Sequence, residues 1–381
     1  MKLGIDHFLS DYVHLVKGKR VGLVTNLTGV NAQLKSSLDL LHAHPHVQLT
    51  ALYGPEHGIR GDVHAGEKIE SFIDPVTDLP VYSLYGETRK PTPHMLDKVD
   101  VIIFDLQDLG ARYYTYIYTL AYVLEACGEL GKEVIVLDRP NPVGGLRVEG
   151  NRNEEGYRSF VGLYALPVRH GMTVGELAQW FIHEEGIDCA LTVVPLQGWT
   201  RDMYFDDTPF YWVPPSPNST NIQMCILYGG TCLLEGTNIS EGRGTPQPFE
   251  ILGAPFIDNR ALAEAFNALQ LPGVVARPTV FNPTASKYAN ETCYGVQLHI
   301  TNRHIIEPFA VGIHLLACIA HLYPNDFAFN MNFGEEAFFD LIAGTNKLRE
   351  AILKNEVQPF IEQAKQEAQQ FKALRTPYLL Y

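Results

Sequence analysis

"VDVIIFDLQDLGARYYTYIYTLAYVLEACGELGKEVIVLDRPNP", residues 99–142, holds two short apolar runs on either side of a helical pattern. The runs, VDVIIFDLQD (99–108) and KEVIVLDRPNP (132–142), are bounded by charged and turn residues. Such compact runs suit strands buried on both faces, as in a parallel sheet. Between them, YIYTLAYVLEACGELG (116–131) is long, apolar and ends at a glycine, which reads as a helix. Strand, helix and strand in this order make a βαβ unit.

The same texture extends in both directions. KRVGLVTN (19–26), VQLTALYG (47–54) and LPVYSLYG (79–86) are further compact apolar runs. In AQLKSSLDLLHAH (32–44), the spacing of Leu34, Leu38 and Leu41 predicts a helix. TVGELAQWFIHEEGI (173–187) opens on a Thr with a Glu three residues later, a capping box, and CALTVVPLQGW (189–199) follows as a strand. The expectation is a doubly wound α/β domain with a mostly parallel sheet. Beyond residue 232 the texture changes. GTNISEGRGTPQPFE (236–250) is polar and glycine-punctuated, YGVQLHIT (294–301) alternates as an antiparallel strand does, and helices are expected over 308–323 and 347–372. The chain therefore divides into a larger domain, 1–232, and a smaller α+β domain, 233–381, that completes a cleft.

Composition narrows the function classes. The 381 residues carry a formal net charge of -14, which argues against a nucleic-acid surface. The six cysteines form no CxxC pair and no zinc-ligand spacing, and they read as buried free thiols. No run has the length of a membrane-spanning helix, and the N-terminus lacks the apolar stretch of a signal peptide. As it stands the chain reads as cytoplasmic, or as exported if it is a trimmed mature form. The dinucleotide, Walker and nucleophile-elbow motifs are missing, so no cofactor is expected. The histidines of HAHPH (42–46) read as a solvated helix end, and no metal is expected.

In an open parallel sheet, ligands bind outside the carboxyl ends of the strands. Here the first run ends in Asn26 and the second in Glu56 and His57, with Arg60 and Asp62 close behind. The 99–108 run ends in Asp105, Gln107 and Asp108, followed by Arg112 and Tyr114; the 132–142 run ends in Asp138, Arg139 and Asn141. A single Asp at a strand end also serves as a turn former or helix cap. Glu56 is harder to explain that way, since it follows Pro55 and has glycine neighbours rather than a helix to cap. Convergence of these side chains on one rim points to carboxylate-centred chemistry.

YGPEHGIRG, FDLQDLGARYYTY, DRPNPVGG, VRHGMTVGEL, PPSPN and EGTNISEGRGT, in this order, resemble the NamZ family of exo-acting β-N-acetylmuramidases. The resemblance runs from about residue 4 to the C-terminus. It implies a Rossmann-like N-terminal domain, a smaller C-terminal domain and an active site between them. It also implies hydrolysis of terminal β-linked N-acetylmuramic acid from the non-reducing end of peptidoglycan fragments, in cell-wall turnover. By motif, the family's catalytic glutamate corresponds to Glu56, and its tyrosine to Tyr114.

On this reading Glu56 is the general acid. A free Glu titrates near 4.3, so burial or a neighbouring carboxylate, Asp105 or Asp138, must raise it. The second role falls either to the sugar's own 2-acetamido oxygen, oriented by Asp105, Asp138 or Tyr114, or to water activated by an aspartate. Arg60, Arg112 and Arg243 are candidates for the lactyl carboxylate. Asn26, His57, Gln107 and Asn141 are candidate contacts on the sheet side; Asn218, Glu235, Asn238 and Glu241 are candidates on the far side. Two other readings remain: a sugar-binding module without chemistry, and a metal-dependent hydrolase using Glu56, His57 and Asp62.

Overall fold

The computed structural model describes residues 1–56, 58–59, 71–86, 88–330 and 337–381. His57, Arg60 and Asp62 lie outside the described residues. A seven-stranded sheet is built from β1 (Arg20–Thr25), β2 (Gln48–Gly54), β3 (Phe72–Ile73), β4 (Pro80–Ser83), β5 (Val101–Asp105) and β6 (Glu133–Leu137). After a hairpin of β7 (Glu149–Arg152) and β8 (Pro167–Arg169), its last strand is β9 (Ala190–Val194). The spatial order is β3-β4-β2-β1-β5-β6-β9. The edge strand β3 runs antiparallel to β4, and the remaining neighbours pair in parallel.

The continuous apolar runs follow from burial on both faces. Along β5, Ile102 and Phe104 pack with Leu120 and Leu124 of the crossover helix Tyr116–Glu129. Val101 and Ile103 point the other way, into a core with Leu38, Leu41 and the N-terminal Ile5 and Phe8. The helix Val174–Glu184 begins at the expected Thr173–Glu176 capping box.

Two helices differ from expectation. The helix expected over 32–44 is confined to Ser37–His42. Asn31 Oδ1 accepts the backbone N–H groups of Gln33 and Lys35, and Leu34 takes a left-handed φ of 60°. An Asn side chain that satisfies local N–H groups competes with helix, and here it outweighs the leucine periodicity. The helix expected over 347–372 is two, Lys347–Lys354 and Val357–Leu374, broken at Asn355 with φ 55°.

The second domain has an antiparallel sheet of β10 (Ile251–Ala254), β11 (Val274–Phe281) and β12 (Cys293–Ile300), in the order β10-β12-β11. Val296 and Leu298 of β12 pack with Leu262 and Phe266 of helix Asn259–Ala268 and with Ile313 and Leu316 of helix Pro308–Leu322. Helix Ile222–Thr231 lies against Pro308–Leu322 at such close range that a Cβ on Gly230 would sit 1.8 Å from the Pro308 carbonyl oxygen. The C-terminal segment then returns to the first domain. Phe371 packs on Trp180 with ring centroids 4.8 Å apart, and the Tyr381 hydroxyl donates to Asp138 at 2.7 Å. Among the described residues, no helix is long and apolar enough to cross a membrane.

Candidate active site

Strand β1 pairs with β2 on one side and β5 on the other, so the order of the sheet reverses there. The crevice at such a switch point is the usual ligand site. In this protein it is filled from within. Asp105, fully buried at the end of β5, accepts from Arg139 Nε at 2.6 Å and Nη2 at 3.0 Å, and also from the Ser37 hydroxyl. The open space lies to the β2–β4 side, as a pocket of about 400 Å³ between the domains.

On the sheet side the pocket is lined by Glu56 after β2, Tyr85 and Arg89 after β4, and Tyr113, Tyr114 and Thr115 after β5. Glu56 sits on a tight turn in which Gly58 N–H donates to Pro55 O at 3.0 Å with a φ of 70°. That left-handed conformation favours glycine and explains Gly58. The half-buried Glu56 carboxylate accepts from Thr115 Oγ1, 3.4 Å from Oε2, and the Tyr85 phenol lies near enough to feel its charge. Burial, with the nearby Glu56 charge adding, pushes the Tyr85 phenol up to about 12.

A buried chain of hydrogen bonds fixes the Glu56 backbone. Asn26 Nδ2 donates to the Tyr116 hydroxyl at 2.9 Å, and that hydroxyl faces the carbonyls of Glu56 at 3.1 Å and Pro215 at 2.8 Å. Asn26 therefore acts from beneath the site, tying the Glu56 turn to the PPSPN loop. Tyr116 shares that task.

The far wall comes from Tyr228, Cys232, Glu235 and Arg243, with Leu341 and Ile342 beside them. Arg243 holds Glu235 at 2.8 Å and Glu241 at 3.1 Å, and Lys287 holds Glu241 at 3.0 Å. Burial raises the Glu235 pKa, and Arg243 opposes that shift. Burial likewise works against the Arg243 charge, but Glu235 and Glu241 outweigh it and hold the guanidinium above its ordinary value. Tyr114 lies edge-on to Tyr116 (4.8 Å) and Tyr228 (6.4 Å). Its hydroxyl has no partner of hydrogen-bonding geometry among the described residues, and burial first, then Tyr116, pushes its pKa well above the usual phenol value.

The structure brings Glu56, Tyr114, Glu235 and Arg243 together around this pocket, and it gives several other sequence candidates different work. Asp105 is committed to Arg139. Asp138 is fully buried and accepts from Gly175 N, Thr173 Oγ1, Tyr381 Oη and its neighbour Arg139 N, at 2.7–2.9 Å. Neither aspartate lines the pocket, so neither is the carboxylate partner expected for Glu56 and neither is placed to act on substrate. Arg112 is also fully buried, and its guanidinium donates to four main-chain carbonyls, of Asn151, Leu166, Ile342 and Ala343. It staples the domains together and is not available to a lactyl carboxylate.

Gln107 donates to the carbonyls of Asp108 and Pro140, and Asn141 to that of Met172. Asn238 bridges Asp326 and Ala328, which makes it loop scaffolding. Glu241 stands behind Arg243, and Asn218 lies two residues beyond the pocket-lining Ser216. Sequence reasoning missed Tyr85, Arg89, Thr115, Phe160 and Tyr228, which line the pocket. Tyr85 ends the run 79–86 and was legible by the strand-end logic; the others carry no motif signal.

A cleft between two domains, with a carboxylate on the sheet rim and aromatic rings around it, belongs to the class of hydrolytic enzymes that take a small polar ring compound. Comparison with known proteins narrows that class. Family models described as exo-beta-N-acetylmuramidase NamZ, N-terminal and C-terminal, match residues 21–223 and 226–381, and the chain belongs to this family. It is 50% identical over 382 residues to the peptidoglycan beta-N-acetylmuramidase NamZ of Bacillus subtilis (strain 168), covering 100% of this chain and 91% of that protein. Crystal structures of two DUF1343 family proteins from Bacteroides fragilis NCTC 9343 share the fold. One has a TM-score of 0.92 at 40% identity and the other 0.79 at 30%; each match covers 100% of this chain and 98% of theirs.

Proposed function

We propose that this protein is an exo-β-N-acetylmuramidase, a glycosidase that releases terminal β-linked N-acetylmuramic acid from the non-reducing end of peptidoglycan fragments. Family membership and the relative at 50% identity support the activity. The observation that carries the assignment of roles is Glu56 on the pocket wall, bonded by Thr115, beside Tyr85, and facing a domain that contributes Glu235 and Arg243.

Glu56 gives its proton to the glycosidic oxygen as the bond to the anomeric carbon breaks. With Asp105 and Asp138 engaged internally and Glu235 tied to Arg243, the pocket offers no uncommitted second carboxylate as nucleophile among the described residues. The substrate's acetamido oxygen takes that role. It bonds the anomeric carbon as the leaving sugar departs with the Glu56 proton. Water then opens the cyclic intermediate and returns a proton to Glu56. The Tyr114 hydroxyl, which has no hydrogen-bond partner among the described residues, is the group that orients the acetamide.

Two measurements test this reading. Glu56→Gln lowers kcat on a muramyl-β-1,4-glucosamine disaccharide by about 10²–10⁴-fold. The loss is smaller on a nitrophenyl β-muramide, whose leaving group needs less protonation. A variant that keeps most of the rate on the disaccharide refutes the acid assignment. Proton NMR of the first product shows the β anomer, because two displacements retain configuration; the α anomer refutes acetamide participation. Wild-type activity that persists in chelator argues against the metal-dependent alternative, whose other members, His57 and Asp62, lie outside the described residues.

A further inference from the structure

N-acetylmuramic acid differs from N-acetylglucosamine by a lactyl ether that ends in a carboxylate. A chain of net charge -14, with Glu56 and Glu235 on the pocket wall, repels that group unless a cation receives it. Around the far wall the charges already cancel: Glu235 and Glu241 stand against Arg243 and Lys287. A further anion on Arg243 has to displace one of two carboxylates. Arg112 is spent on four carbonyls.

Arg89 lines the pocket, and among the described residues it has no ion-pair partner. Its Cζ sits 4.2 Å from the centroid of the Phe160 ring. Phe160 is also stacked with Tyr122, with centroids 6.1 Å apart and planes at 10°. A guanidinium laid on an aromatic face keeps its N–H edges free for a planar, bidentate acceptor. The next residue, Lys90, is fastened outward to Glu125 (3.2 Å) and Glu129 (2.7 Å) of helix Tyr116–Glu129, which anchors the segment that carries Arg89. Tyr85 connects the two ends of the pocket: it feels the charges of both Glu56 and Arg89, and its ring lies 6.4 Å from Phe160.

We propose that Arg89 is the specificity-determining residue that receives the lactyl carboxylate, with Phe160 as its platform. The inference rests on the muramidase reading above. Arg89 and the acid Glu56 line the same pocket, with Tyr85 on its wall beside them.

The test compares nitrophenyl β-N-acetylmuramide with its lactyl methyl ester, which has nearly the same shape and no charge. Wild-type kcat/KM favours the acid by roughly 10- to 100-fold, the range of a charge-assisted hydrogen-bonded contact. Arg89→Ala brings the two substrates within about three-fold of each other, and Arg89→Lys keeps part of the preference. A full preference surviving in Arg89→Ala overturns the proposal, as does an equal loss on acid and ester. A binding experiment separates failure of this inference from failure of the function itself. Calorimetry with free N-acetylmuramic acid and N-acetylglucosamine on Glu56→Gln, with and without Arg89→Ala, needs no turnover. Preference for the acidic sugar that disappears with Arg89 supports the assignment even if the wild type cleaves neither glycoside; equal binding of both sugars to Glu56→Gln overturns it.

Discussion

Arg112→Met probes the staple between the domains. The guanidinium donates to Asn151 O at 2.7 Å, Leu166 O at 3.1 Å, Ile342 O at 2.9 Å and Ala343 O at 2.9 Å. Ala343 O also accepts from Asn151 Nδ2, so three carbonyls lose their side-chain donor in the variant. Each stranded buried acceptor costs about 1–3 kcal/mol. Against this, the wild type buries a cation without an anion, and burial lowers its pKa, so removing the charge recovers part of the loss. The net expectation is a destabilisation of about 3–5 kcal/mol. With 381 residues and an unfolding entropy of about 2.1 cal/mol/K per residue, each kcal/mol moves a cooperative midpoint by a little over 1 °C. The melting temperature should therefore fall by about 4–6 °C, read by calorimetry or near-ultraviolet circular dichroism. Arg112→Lys should recover little, because one ammonium cannot span four carbonyls. A variant that melts within about 1 °C of wild type yet binds muramic acid poorly would refute the staple and return Arg112 to the substrate.

Three further outcomes follow from the same contacts. Tyr114→Phe should change stability by less than about 1 kcal/mol, since the lost hydroxyl has no partner among the described residues, while kcat/KM on the disaccharide falls at least ~10-fold. Equal losses in folding and activity would make Tyr114 structural. Burial lifts the Asp138 carboxyl to about 6, above its unfolded value of 3.8, so the folded state binds this proton more tightly. Its contribution to stability is complete below pH 4 and is lost as pH rises through about 6. The stability gap between wild type and Asp138→Asn in urea should shrink by up to about 3 kcal/mol across that window. Tyr381→Phe removes the hydroxyl that bonds Asp138 Oδ2 and accepts from Leu196 N–H, and should cost about 1–3 kcal/mol in urea unfolding. Combined with Asp138→Asn the two losses should be non-additive by 0.5 kcal/mol or more, because the residues are in contact.

The sequence by itself determined the parallel sheet, because strands buried on both faces read as near-continuous apolar runs, as Val101–Phe104 of β5 does. It also determined the Thr173–Glu176 capping box, a local matter of two side chains and two backbone N–H groups within one helical turn. The six ordered motifs carried the family. What the sequence left undecided was which polar strand ends face a ligand and which face each other. Asp105 and Asp138 read, like Glu56, as strand-end carboxylates that belong to the site. Only the packed structure sets Arg139 and Ser37 against Asp105, and leaves Glu56 beside open space under the second domain. Arg112 and Arg89 make the same point with cations: one sits among carbonyls supplied from as far along the chain as Ala343, the other lies on Phe160. A buried polar group is satisfied by whichever partners the fold delivers, and those partners come from segments that no local pattern relates.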